Sequence, residues 1–136
     1  MAERLSFPKD KIRVLLLEGI NDSAAELFAA AGYTNVVRVA KALDREALHE
    51  ALKGTHILGI RSRTQVTAAL LDALPDLAAI GCFSVGTNQV DLEAARHRGI
   101  PVFNAPYSNT RSVAELVIGE IVMLLRRIVP RSVGAH

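Results

Sequence analysis

Ile80-Gly-Cys-Phe-Ser-Val-Gly-Thr-Asn-Gln-Val-Asp91, running on to Asn104-Ala-Pro-Tyr-Ser-Asn-Thr-Arg-Ser-Val-Ala-Glu115, repeats one grammar twice. In each half an apolar run gives way to small and polar residues, and then to a helix start. In an α/β chain this places two polar loops at the carboxyl ends of two strands, the edge where such sheets bind ligands.

The same alternation extends towards the N-terminus. Ile12-Arg-Val-Leu-Leu-Leu17 reads as a first strand. Asn21-Asp-Ser23 offers N-caps for a helix Ala24–Ala31, which Gly32 ends. Val36–Val39 reads as a second strand, and Asp44–Lys53 as an amphipathic helix closed by Gly54. Ile57–Ile60 is a third strand ending at Arg61, and Thr67 caps a helix Ala68–Ala73 that Pro75 terminates. Leu77–Ile80 is a fourth strand leading into the Gly81–Thr87 loop. Asp91 caps the helix Leu92–Arg98, Gly99 ends it, and Pro101–Asn104 is a fifth strand. Ser112-Val-Ala-Glu115 has the form of a capping box opening one long helix over 112–129. Five alternations predict a doubly wound parallel sheet covered on both faces, with the flavodoxin-like order 2-1-3-4-5. The domain boundary is drawn at 108/109. It separates a 1–108 flavodoxin-like domain from a 109–136 segment built on the apolar helix.

Composition narrows the function classes. A chain of 136 residues, half of them apolar, is one domain's worth and is long enough to bury a core. Net charge is +2 and the 16 Lys plus Arg are scattered, with four Phe and two Tyr. No basic block or aromatic-interleaved patch suggests nucleic acid. Cys82 stands alone, so there is no internal disulfide and no cysteine metal cluster. A lone cysteine fits a reducing compartment. Met1–Lys11 is charged and lacks an apolar signal core, and Glu120 interrupts the longest apolar stretch, which argues against a membrane span. The expectation is a cytoplasmic domain.

Several constellations could carry chemistry. Arg61-Ser-Arg63 follows the third strand, and arginine's planar fork suits carboxylate or phosphate; the alternative is that one or both merely coat the surface. Gly81 to Asn88 places glycines in a strand-to-helix loop, where backbone N–H groups can meet an anion or simply form a tight turn. Cys82 has no base adjacent in sequence and reads as inert. Asn104 and Asn109 either satisfy turn backbone or, for Asn109, reach a ligand across a crevice. Arg111 reads as a surface or interface residue. His49, His56, His97 and His136 show no metal-ligand spacing. The helix 112–129 is apolar nearly all round and must be buried on several sides. No G-x-G-x-x-G, G-x-x-x-x-G-K-[ST] or G-x-S-x-G occurs.

Gly59-Ile-Arg-Ser-Arg-Thr64, the Ile80–Asp91 stretch and Gly99-Ile-Pro-Val-Phe-Asn-Ala-Pro-Tyr-Ser-Asn-Thr-Arg-Ser-Val-Ala-Glu115 closely resemble the D-isomer-specific 2-hydroxyacid dehydrogenases. Within that family they resemble the serine-pathway branch that oxidises 3-phosphoglycerate to 3-phosphohydroxypyruvate with NAD. The resemblance runs from about Lys11 to Arg127. It implies a substrate-binding role for Arg61, Ser62 and Arg63, meeting phosphate or carboxylate. It places the Ser84-Val85-Gly86 backbone along the cleft, with Val85 the one contact towards the nicotinamide. It puts Asn109 at an interdomain hinge, and the last helix in a crossing to a nucleotide-binding domain and in dimerisation. The family's acid–base histidine, its glutamate partner, its catalytic arginine and its glycine fingerprint have no counterpart here. The expectation is therefore a substrate-side portion with no catalytic residue, no metal, no tight NAD site and no dehydrogenase activity alone. A homo-oligomer forming through the 112–129 helix is also expected.

Two alternatives stay open: a non-catalytic binding or dimerisation module of the same fold, and another 2-hydroxyacid dehydrogenase. A response-regulator receiver needs an aspartate ending the third strand, where Arg61 stands. A flavodoxin needs a Ser/Thr-rich loop after the first strand, where Glu18-Gly-Ile-Asn-Asp stands.

Overall fold

The computed structural model describes residues 7–134; the 1–6 leader and the final pair, with His136, lie outside the described residues. The chain divides into two compact units, Met1–Ala105 and Pro106–His136.

The first unit alternates β1 (Val14–Leu16), α1 (Asp22–Ala30), β2 (Val36–Arg38), α2 (Arg45–Leu52), β3 (Ile57–Ile60), α3 (Ala68–Asp72), β4 (Ala79–Cys82), α4 (Leu92–His97) and β5 (Val102–Asn104). All neighbouring strands pair in parallel, in the order β2-β1-β3-β4-β5. This is the flavodoxin-like order the alternation predicts. The helix starts are set by the anticipated caps. Asn21, Asp44, Thr67 and Asp91 accept the N–H groups of Ser23, Ala47, Leu70 and Ala94 at 3.0, 2.9, 3.3 and 2.9 Å. Gly32, Gly54 and Gly99 follow their helices at positive φ, where a side chain would be strained.

Side chains alternate across β1, so one strand serves two cores. Leu15 and Leu17 join Leu58, Ile60, Ile80 and Cys82 under α2, α3 and α4. Val14 and Leu16 pack with Ile20 beneath α1. Fully burying a leucine is worth about 1.5–3 kcal/mol, so the first, larger cluster carries most of the stability. The second face is less covered than expected, since Phe103 on β5 remains exposed.

The fourth strand starts two residues later than the apolar run suggests. Leu77 is drawn into the core as part of the approach to β4. Pairing with β3 through Ile60 then carries β4 on to Cys82. Gly81 is consequently a strand residue rather than a loop residue.

The second unit holds α5 (Thr110–Leu125) and α6 (Ile128–Val133), not one helix over 112–129. Pro130 explains the break. In a continuous helix it would donate no hydrogen bond and its ring would meet the Arg126 carbonyl. The chain instead turns at Arg127 (φ +50°), and Pro130 falls in the first turn of α6, where a missing N–H costs nothing. The expected capping box is absent as well. α5 begins two residues before Ser112, and Glu115 accepts the Arg111 guanidinium at 2.6 Å. Neither helix has a buried residue, so this unit has no core of its own. No helix among the described residues is long and apolar enough to cross a membrane.

Candidate functional site

The site is built at the carboxyl edge of the sheet, from the segments that follow β1, β2 and β3. Glu18, just past β1, adopts the left-handed conformation (φ +61°), uncommon for a residue with a side chain. Gly19 follows at φ +63°, and a Cβ there would approach the Ala40 carbonyl to 3.1 Å. The Glu18 and Gly19 N–H groups donate to Lys41 O (3.3 Å) and Val39 O (3.2 Å), which binds this turn to the segment after β2.

The tight turn aims the Glu18 carboxylate at the loop after β3. It accepts the backbone N–H groups of Arg61 (3.3 Å), Arg63 (3.0 Å) and Thr64 (2.9 Å). Burial of Glu18 opposes ionisation, but the Thr64 side chain and these three N–H groups outweigh it and hold the carboxyl below its usual range. The negative charge is thus committed to shaping the Arg61–Thr64 loop.

The loop's cations are left uncommitted. Glu18, Lys41, Arg61, Ser62 and Arg63 line an open cavity of about 250 Å³. Among the described residues, the side chains of Lys41, Arg61 and Arg63 make no ion pair. Arg38, Arg96, Arg98 and Arg111, by contrast, are each paired with a carboxylate. Three cations against one occupied carboxylate favour an anion of one or two charges.

The loop after β4 is fastened to the first. Buried Gln89 donates through Nε2 to Arg61 O at 2.6 Å and to Ser84 Oγ at 3.1 Å. Ser84 Oγ donates to Gly86 O at 2.8 Å, and Asn104 Nδ2 donates to Val85 O at 2.7 Å. Asn104 therefore satisfies turn backbone. Arg61, Ser62 and Arg63 come together in one cavity, while Ser84, Val85 and Gly86 form the adjoining loop. Gly86 is not among the positive-φ glycines, and Gly81 lies in β4, so this loop is not the glycine-bracketed anion nest its spacing suggests. Asn109 caps α5 in the second unit without a side-chain hydrogen bond.

Other candidates resolve as structural. Cys82 is buried, and that burial pushes its thiol pKa up, the wrong direction for a nucleophile. His56 accepts the Arg13 N–H at Nδ1 (3.1 Å), and His97 lies 3.0 Å from Glu93. Among the described residues no cluster of three or more His, Cys, Asp or Glu could hold a metal. Lys41, Glu18 and Gln89 are site residues the sequence reading missed. Lys41 and Glu18 follow strands, as Arg61 does, and that position was the available signal; nothing local marks Gln89.

No glycine fingerprint follows any strand, and the Val85 carbonyl is already engaged by Asn104.

The model for the D-isomer specific 2-hydroxyacid dehydrogenase catalytic domain matches residues 14–127. The chain is 54% identical over 136 residues to the D-3-phosphoglycerate dehydrogenase of Haemophilus influenzae, covering 100% of this chain and 33% of that protein. It is 55% identical over 133 residues to the enzyme of that name from Escherichia coli K12, covering 98% and 32%. The chain thus spans about a third of the length of these relatives. A solved 2-hydroxyacid dehydrogenase from Ketogulonicigenium vulgare Y25 superposes with TM-score 0.72 at 31% identity, covering 92% of this chain and 39% of that one.

Proposed function

Because the chain belongs to the D-isomer specific 2-hydroxyacid dehydrogenase family, we propose that it forms the substrate-anion wall of a D-3-phosphoglycerate dehydrogenase. The observation that carries this reading is the cavity of unpaired Lys41, Arg61 and Arg63 around a loop ordered by Glu18. Arg61 and Arg63 hold the phosphate or carboxylate of 3-phosphoglycerate by bidentate, charge-assisted hydrogen bonds, and Ser62 adds a hydroxyl. The Ser84–Gly86 loop, tied to Arg61 through Gln89, borders the reacting carbon. Asn109 lies at the hinge between 1–108 and 109–136, and the latter leads to the nucleotide-binding domain.

Oxidation of the substrate's secondary alcohol needs a hydride acceptor, NAD, and an acid–base group. Both are assigned to polypeptide corresponding to the other two thirds of the relatives. The 136 residues alone position the anion and do not turn over. The enzyme is cytoplasmic, in keeping with its single buried thiol. It is a homo-oligomer assembled through the apolar 112–129 segment, whose Leu116, Ile118 and Ile121 are exposed.

An amide NMR titration of the chain with 3-phosphoglycerate tests the reading. Shifts concentrated at residues 41, 61–64 and 84–87 are expected. Their absence at millimolar ligand would overturn it in favour of a non-catalytic module.

A further inference from the structure

A second cavity of the first unit is larger than the one just described. It lies between α2 and α3, with a volume of about 420 Å³, within the range of small-molecule sites. Its polar lining includes two guanidiniums, Arg45 on α2 and Arg63 on the loop after β3, together with the His49 ring. No carboxylate lines it. Neither arginine side chain has an ion-pair or hydrogen-bond partner among the described residues. Thr67 Oγ1 accepts the Leu70 N–H at 3.3 Å and so keeps its own hydrogen to donate. Thr64 and Gln65 add polar groups, and Leu43, Leu48 and Leu70 form the wall towards the core.

Two unpaired guanidiniums and three leucines thus line one pocket, with no acid among the lining residues. The pairing of cationic and aliphatic surface suits a ligand with both characters. We infer a second ligand site here, for a small organic anion that carries a carboxylate or phosphate on an apolar body. The head group meets Arg45 and Arg63, and the body lies on Leu43, Leu48 and Leu70. Arg63 lines both cavities, so the two sites share one guanidinium and their ligands compete for it. The inference does not depend on the identity of the substrate in the first cavity.

The test is a set of amide NMR titrations of the whole chain with phenylphosphate, benzoate, inorganic phosphate and phenol. Phenylphosphate or benzoate should shift the amides of 45–49 and 64–70, and should bind at least about tenfold more tightly than inorganic phosphate or phenol. Arg45→Ala, an exposed helix-start change that leaves the core intact, should weaken that binding about tenfold and leave 3-phosphoglycerate affinity unchanged. Absence of shifts at 45–49 with both aromatic anions would overturn the inference. So would an Arg45→Ala chain that binds them as the parent does, or inorganic phosphate binding as tightly as phenylphosphate.

Discussion

Glu18 Oε1 lies 2.9 Å from the backbone nitrogen of Thr64, a residue 46 positions further along the chain. That contact, with those to Arg61 and Arg63, makes one carboxylate the organiser of the whole anion loop. Glu18→Ala leaves three inward N–H groups without an acceptor and should cost about 2–3 kcal/mol in chemical denaturation. Glu18→Gln keeps one acceptor oxygen and should cost about 1–2 kcal/mol.

The same contact carries a pH dependence with a definite sign. A carboxyl whose folded pKa lies below its unfolded one, about 4.3, stabilises the fold above that value and loses the contribution as pH falls through the folded pKa. The stability gap between the parent and Glu18→Gln should therefore be full above about pH 4.3 and close as the pH falls from there through the folded pKa. Denaturation midpoints across that range would measure it, and a gap independent of pH would contradict the assignment.

Gln89 joins two loops through one nitrogen, donating to Arg61 O and Ser84 Oγ. Gln89→Leu keeps most of the volume but strips a part-buried carbonyl of its partner, which should cost about 1–2 kcal/mol. If Gln89 also positions Arg61, 3-phosphoglycerate affinity should fall in the folded variant, read by titration well below its melting temperature. Lost stability with unchanged affinity would reduce Gln89 to a structural role.

Gly59, on β3, pairs with Leu16 of β1 on the face covered by α1. A Cβ there would stand 2.6 Å from Leu16 Cδ2 and 3.2 Å from both Ile20 Cδ1 and Phe83 Cε2. Leu16 and Ile20 are buried and must shift to admit it. Gly59→Ala should lose about 1–3 kcal/mol through overpacking, seen as a lower thermal midpoint.

The elements most legible in the sequence were those whose signals are local. A capping side chain and the N–H it satisfies are two or three residues apart, so Asn21, Asp44, Thr67 and Asp91 announce their helices. Strand limits depend on the partner strand, which is why β4 runs on through Gly81 and Cys82. Pro130 is a local signal that the continuous apolar pattern of 112–129 masks. For the site, Arg61–Arg63 stood out because three polar residues follow an apolar strand. The Glu18 contacts to this loop and the Gln89 bridge from Arg61 to Ser84 are fixed by tertiary packing, and neither residue type nor spacing reveals them.

Arg61 and Arg63 differ in what their loss should reveal. Arg61 lines only the smaller cavity, whereas Arg63 lines both. Each charge-assisted hydrogen bond to a bound anion is worth about 1.5–3 kcal/mol, so Arg61→Ala should weaken 3-phosphoglycerate binding by about ten- to a hundredfold. Among the described residues neither arginine side chain has a bonding partner, so stability should change by less than about 0.5 kcal/mol. Arg61→Lys keeps the charge and loses the planar fork, and should recover only part of the affinity. Isothermal titration at two salt concentrations completes the test. Open cations are screened by salt, so affinity should fall as ionic strength rises, and the fall should be shallower for Arg61→Ala. Binding unaffected by either the substitution or salt would remove Arg61 from the site.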